Sequence, residues 1–355
     1  MVRAVSSGLR RFKRLRDRWL IPSPRSPVPD IASDLGPVGR NVILISQIHR
    51  SGGTLLSQLL DGHPQIAAYP GDMHIARGKA DWPDLDPTKG ARALFRYLVD
   101  GRFIERARTG YSKAKNPTRM HAFDYDVGLH HRIFCNLIEA KRPATQRGAL
   151  DCFYHAFFKS WGNRIVSYDE AACISAFCPG LAMNPDSIAR YFRDYPDGHL
   201  VSIVRDPVSW LASALSKNRG KARKRQYDQF ETAIAWWRRS AEATLRNKRT
   251  YGDKVICIGL DELVRDTPGM MRALCMKIGI DFHPAMTIPT FNSAPIESNS
   301  SFDKSIGQVD SGVLTRQPDI DPAQMARLKA ECGGLYDALK QVALTPLGSR
   351  PAGTR

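Results

Sequence analysis

The stretch NVILISQIHRSGGTLLSQLL, residues 41–60, most constrains what this chain folds into. NVILISQ is a nearly unbroken apolar, β-branched run, the pattern of a strand covered on both faces. A polar turn with two adjacent glycines follows, and Thr54 to Asp61 continues as helix. A strand that runs through such a turn into a helix leaves backbone N–H groups and the positive end of the helix dipole facing outward, where an anion is held. Glycine lets the backbone come close to that anion. The nucleoside-triphosphate version of this device, GxxxxGK[ST], adds a lysine for the β/γ-phosphates and a hydroxyl for magnesium. No GK[ST] is present here, and Arg50 precedes the glycines. The expected ligand is therefore a shorter anion gripped by a guanidinium and N–H groups. A Gly-rich turn that serves packing alone is the competing reading.

The same alternation continues downstream. CISAFCP (173–179), HLVSIVR (199–205) and KVICIGL (254–260) read as further buried strands. Pro207 suits the first turn of a helix reaching about Lys217. Residues 228–248 have helical spacing, and Asp261 starts a helix to about Ile278 with Gly279 as its stop. Strands alternating with helices predict an α/β, three-layer α/β/α fold around a central parallel sheet. Residues 79–165, less periodic and rich in aromatic and basic residues, are expected to form a largely helical insertion over the sheet edge. Five prolines between residues 21 and 40 mark a linker. The expected organisation is a basic N-terminal segment and linker over 1–38, one domain over 39–340, and a loose tail over 341–355.

The 355 residues are enough for a sizeable core, and the 43% hydrophobic and 25% charged content is ordinary for a globular protein. The formal charge of +17 is not. It favours anionic partners: nucleotides, acidic glycans, anionic lipid or nucleic acid. No zinc finger, RRM-like or helix-turn-helix signature accompanies the charge, so no specific nucleic-acid partner is expected. Seven cysteines form no CxxC pair and fit reduced, buried thiols of a cytoplasmic protein. No apolar run has the length of a membrane span. The N-terminus, MVRAVSSGLRRFKRLRDRWLIP, lacks the apolar core of a signal peptide. As a helix it gathers Leu9, Phe12, Leu15, Trp19 and Leu20 on one side and most arginines on the other, which suits a peripheral contact with anionic membrane. A basic helix packed on the domain, or a disordered tail, suits it too.

A second anion site is suggested by VSIVRDPVSWLASALS. Arg205 ends a strand, and Ser213 lies on the next helix. A guanidinium fork and a hydroxyl there would grip one phosphate, unless Asp206 merely caps the helix and Arg205 forms an ion pair. Taken together, RSGGTLLSQLLDGHP (50–64) resembles the 5′-phosphosulfate loop of sulfotransferases that use 3′-phosphoadenosine 5′-phosphosulfate (PAPS), and VRDP with Ser213 eight residues beyond Arg205 resembles their 3′-phosphate motif. LDELVRDTPGMMRALCMKIGIDF (260–282) is similar to the family's late strand–helix signature, with small departures. APIESNSSF (294–302) resembles a late cofactor-side loop of bacterial members and brings in Ser300 and Ser301.

The resemblance implies a P-loop-like sulfotransferase fold, PAPS as sulfuryl donor, and transfer without a metal. It implies that Arg50 touches the 5′-phosphate and sulfuryl oxygens, that Ser51, Gly52, Gly53, Thr54 and Leu55 donate hydrogen bonds, and that these donors stabilise the leaving phosphate. The acceptor's hydroxyl must lose a proton to a nearby base. Asp72, in YPGDMHI, stands where members often carry a glutamate, and His74 is the alternative. Pro-Gly-Asp is also ordinary turn chemistry. His63 is expected to shape a turn, and His121, His130 and His131 lack a carboxylate at zinc-ligand spacing. The run SKNRGKARKR (216–225) either lies in solvent or draws an anionic acceptor, such as a glycan or glycolipid, to the cleft. YHAFFKSW (154–161) and Trp210 are expected in the core, with an acceptor groove as the alternative. A sugar or nucleotide kinase with a degenerate loop, and an inactive PAPS binder, are the other readings.

Overall fold

The computed structural model describes residues 21–29, 38–73, 81–112, 117–216, 229–297 and 305–348. Five strands, β1 (Asn41–Ile45), β2 (Ile66–Asp72), β3 (Cys173–Phe177), β4 (His199–Val204) and β5 (Val255–Gly259), form a parallel sheet in the order β2-β3-β1-β4-β5. The helices are α1 (Gly53–Leu60), α2 (Ala91–Leu98), α3 (Gly101–Thr109), α4 (Val127–Lys141), α5 (Gln146–Lys159), α6 (Pro185–Asp194), α7 (Pro207–Ser216), α8 (Phe230–Tyr251), α9 (Leu260–Arg265), α10 (Thr267–Ile278) and α11 (Pro322–Val342).

The unbroken apolar runs are explained by two cores. Val42 and Leu44 of β1 enter one, and Ile43 and Ile45 enter the other, because successive strand residues point to opposite faces. On the Ile43 face pack α1, α9 and α10, through Leu56, Leu59, Leu263, Met270 and Leu274. The Val42 face shares its core with the insertion, through Phe95, Phe103, Ile133, Phe153 and Phe157, and with α6 through Tyr191. The insertion thus joins the core of a sheet face rather than sitting only at its edge. Its aromatic residues are that core: Tyr69 of β2 lies 5.0 Å from Phe157 and 5.1 Å from Phe103, ring centre to ring centre. Tyr154, Phe157 and Phe158 are buried, so YHAFFKSW packs the interior. A third cluster joins α7, α8 and α11 through Trp210, Trp237 and Leu328.

Three local features differ from the sequence reading. The helix expected over 261–278 is two helices, because the Asp266 side chain accepts a hydrogen bond from Gly269 N–H at 2.9 Å and restarts the helix with Pro268 in its first turn. The YPGD string completes β2, an edge strand. Its register to β3 shifts between Ala68 and Asp72, where Gly71 has φ 74°, and an edge is where a strand tolerates proline. The tail expected from residue 341 is fixed in its first part: α11 runs to Val342, Leu344 N–H donates to Cys257 O at 2.7 Å, and Leu347 N–H donates to Gly269 O at 3.0 Å. All seven cysteines are free thiols, six of them buried.

Candidate active site

All five strands deliver residues to one cleft of about 240 Å³ at their C-terminal ends, where open parallel sheets place ligands. The β1–α1 turn supplies Gln47, Arg50 and Gly52–Leu55; β2 supplies Asp72; β3 ends in Phe177; Arg205 follows β4, with Ser213 on α7; and Leu260 follows β5.

The turn is held from below. Ser46 Oγ donates to Cys178 O at 2.7 Å and accepts from Ala182 N–H at 2.8 Å, while Ser46 N–H donates to Val201 O at 2.9 Å. The backbone then reverses through two left-handed residues, Arg50 at φ 75° and Gly52 at φ 101°. Gly52 also faces Leu260 so closely that a Cβ would lie 2.7 Å from Leu260 Cδ1. Trp210 Nε1 donates to His49 O at 2.9 Å, which places this indole under the turn and in the core.

Arg205 is the hub. Its Nη1 donates to Arg50 O at 2.9 Å, its Nε to Ser209 Oγ at 3.1 Å and its Nη2 to Val313 O at 3.3 Å. Arg50 Nε donates to Ser213 Oγ at 3.1 Å. Arg316 lines the same cleft and pairs with Asp310 at 2.5 Å. Burial pushes the Arg205 guanidinium down to about 10, the positive charges of Arg316 and Arg50 push the same way, and Asp261 and Asp206 oppose them. The cleft therefore concentrates three guanidiniums at one end, an arrangement that favours an anionic ligand.

The structure brings Arg50, Gly52, Gly53, Thr54, Leu55, Asp72, Arg205 and Ser213 to this one cleft. The two anion sites are not separate: Arg50 of the first is hydrogen-bonded to Ser213 of the second. Ser51 does not line the cleft. It is buried beneath the turn, in a small cavity with Ile48, Arg205 and Trp237. His74, Ser300, Ser301, the N-terminal segment 1–20 and the basic run from Lys217 to Arg225 lie outside the described residues. Asp72 stands at the cleft wall with its backbone carbonyl accepting from Arg102 Nη2 at 2.9 Å, and Arg102 is anchored in turn by Asp100.

Four cleft residues carry no recognisable sequence motif. Gln58 sits one helical turn after Thr54, a spacing that puts both on one face of α1. Gln47 is the polar residue that ends an apolar strand. Gln47 Oε1 and Gln58 Nε2 are both buried without a hydrogen-bond partner, so the cleft wall holds an unused acceptor and an unused donor. Asp310 and Arg316 arrive from the segment before α11, which has no motif. His63 is a structural residue. Its Nδ1 accepts from Gln65 N–H at 3.0 Å, which leaves Nε2 to donate to Asp281 O at 2.7 Å. No group of three metal-ligating side chains occurs among the described residues.

These observations can be set beside known proteins. No curated protein matches the chain. Among solved structures it is similar to the sulfotransferase domain from the curacin biosynthetic pathway, at 17% identity over 84% of this chain and 99% of that one, with a TM-score of 0.45. It is similar to a sulfotransferase from Alicyclobacillus acidocaldarius at 16% identity over 86% and 98% of the two chains, TM-score 0.43. A sulfotransferase from Mycobacterium avium aligns at 15% identity over 89% and 79%, TM-score 0.41. The assignment rests on none of these distant likenesses but on the family model described as the sulfotransferase family, which matches residues 43–284 and so spans the β1 turn, Arg205, Ser213 and the α9–α10 signature. On that match, the chain belongs to the sulfotransferase family.

Proposed function

We propose that the cleft binds PAPS and that the chain moves its sulfuryl group to a hydroxyl of an acceptor: a glycan, a glycolipid or a small hydroxylated metabolite. The observation that carries this reading is the convergence of Arg50, Arg205 and Arg316 on a cleft whose wall is the Gly52–Leu55 turn, with no GK[ST] lysine in the chain. The buried Arg205, whose charge is opposed by those of Arg50 and Arg316, suits a ligand with more than one anionic group. The unpartnered Gln47 and Gln58 side-chain atoms supply polar contacts that such a ligand would satisfy.

When bound, PAPS supplies an activated sulfuryl group on a phosphate leaving group. In this reading Arg205 and Ser213 hold the 3′-phosphate, and Arg50, bonded to Ser213, bridges toward the turn. The N–H groups of the turn and the α1 dipole receive the negative charge that grows on the leaving phosphate. Asp72 takes the acceptor's proton as its oxygen bonds to sulfur. His74 is the alternative base.

Calorimetric titration of the full chain with 3′,5′-diphosphoadenosine (PAP) and, separately, with ATP–magnesium tests this. PAP should bind with a dissociation constant on the order of 1 μM. Arg205→Ala should weaken it by about 100-fold, since hydrogen bonds to charged groups contribute about 1.5–3 kcal/mol each. Tight ATP–magnesium binding with indifference to PAP would point to a kinase instead. Asp72→Asn should lower turnover by about 10²–10⁴-fold and leave PAP affinity nearly intact. Unchanged turnover would remove Asp72 from the chemistry.

A further inference from the structure

Away from the cleft, the insertion carries a cavity of another kind. An apolar slot of about 310 Å³ is lined by Ile21 of the linker and by Phe95, Val99, Ile104, Ala107 and Val127. A neighbouring depression is lined by Arg92 and Arg96 of α2 and by His131 and Arg132 of α4. The two meet along Ile21, Pro22, Ser23 and Arg96, which belong to both.

The guanidiniums are unusual for the company they lack. Arg92 and Arg96 are one helical turn apart, so their charges stand side by side on α2. Arg92, Arg96 and Arg132 are exposed, and none is in an ion pair with a described carboxylate, including Glu139 nearby. Arg25, also in the slot lining, is different: it is committed to Asp124 at 3.0 Å. Burial lowers the pKa of His131, and the nearby charges of Arg92, Arg132 and Arg96 lower it further. Three arginines with no paired carboxylate create a local positive potential that favours an anion. An apolar slot opening beside it selects an anion with a hydrocarbon chain.

We propose that this face binds an anionic phospholipid, with an acyl chain in the slot and the phosphate on Arg92, Arg96 and Arg132. A free phosphate would use the arginines and leave the slot unexplained, and an apolar peptide would use the slot and leave the arginines unexplained. Arginines clustered beside apolar surface attract the anionic head groups of a lipid surface. The connection of the chain agrees. Ile21, which lines the slot, directly follows in sequence the segment holding Leu9, Phe12, Leu15, Trp19 and Leu20 among arginines. The proposal is independent of the sulfuryl-transfer reading.

The test uses the full chain, titrated with monomeric dodecanoyl lysophosphatidic acid and separately with inorganic phosphate. It is then sedimented with phosphatidylcholine vesicles with and without phosphatidylglycerol. The lysolipid should bind one per chain, inorganic phosphate at equal concentration should not displace it, and vesicle binding should require phosphatidylglycerol. The triple variant Arg92→Ala, Arg96→Ala, Arg132→Ala should lose on the order of 100-fold in lysolipid affinity, at the usual contribution of an arginine near an anionic surface. Val99→Trp, which fills the slot, should abolish lysolipid binding at an unchanged unfolding temperature, and Arg205→Ala should bind as wild type does. The proposal fails if wild type does not bind the lysolipid, or if phosphate alone displaces it. It fails equally if the triple variant and Val99→Trp bind as wild type does, which would move the contact to residues 1–20 or elsewhere.

Discussion

Gly53 opens α1 at the most crowded point of the cleft, and replacing it with alanine puts the packing of the turn to a direct test. A Cβ there would lie 1.9 Å from Gln47 Nε2 and 2.5 and 2.8 Å from Cε2 and Cζ of Phe177. Gln47 is 2% and Phe177 5% exposed, so neither has open space to move into except the cleft itself. Overpacking of this kind costs about 1–3 kcal/mol. Alanine returns less than about 1 kcal/mol of helix propensity, since the position is the first of the helix. The net loss of about 1–2 kcal/mol should lower the unfolding temperature by about 1–3 °C. The amide of Gln47, displaced into the cleft, should weaken PAP binding by about 10-fold, or about 1.4 kcal/mol. The control is Gly334→Ala in the middle of α11, where an added Cβ meets nothing within 4 Å. There the propensity gain of about 0.5–1 kcal/mol stands alone, and the unfolding temperature should rise. Differential scanning calorimetry and PAP titration of both variants decide the matter. If Gly53→Ala melts and binds as wild type does, or if Gly334→Ala is equally destabilised, the contact argument is wrong.

Two further outcomes concern stability. His155 is fully buried with both ring nitrogens unpartnered, and burial holds its pKa down at about 4. Above pH 6.5 the ring is neutral folded or unfolded and nothing is lost. Below it the unfolded chain takes up a proton that the folded chain refuses, so stability falls between pH 6.5 and about 4, by about 3 kcal/mol at most. His155→Phe should flatten denaturant midpoints across that window, and an unaltered pH profile would show that His155 does not cause the loss. Asp321→Ala removes a capping box in which Asp321 accepts from Gln324 N–H at 2.7 Å and Gln324 accepts from Asp321 N–H at 3.3 Å. A loss of about 1 kcal/mol in urea titration is expected, and no change would mean that α11 is held by packing alone.

What the sequence made legible was local. The β1–α1 turn is readable because an apolar strand, two glycines and a helix are contiguous, and Arg205 and Ser213 are readable because they flank one strand–helix junction. That Arg50 and Ser213 touch is not readable, since it requires β4 to pair with β1, and strand order is a property of the whole chain. Arg316 reaches the cleft for the same nonlocal reason. Asp266 shows the converse. Its cap signal with Pro268 was present in the string, but continuous apolar spacing on either side hid the break. The edge strand β2 is not legible, because Pro70 and Gly71 argue against a strand unless its place at the border is known.

The borders of the sheet bear on how the molecule behaves in a crowd. On one side Ala343 bridges to Cys257 in parallel, so the chain lays its own backbone along β5. On the other, β2 is broken by a proline and a bulge before it reaches full length. Each device removes part of the ladder on which a foreign strand would zip. Copies of this chain that meet through these borders find little to extend, and a chain cut at residue 342 should precipitate more readily than the whole one.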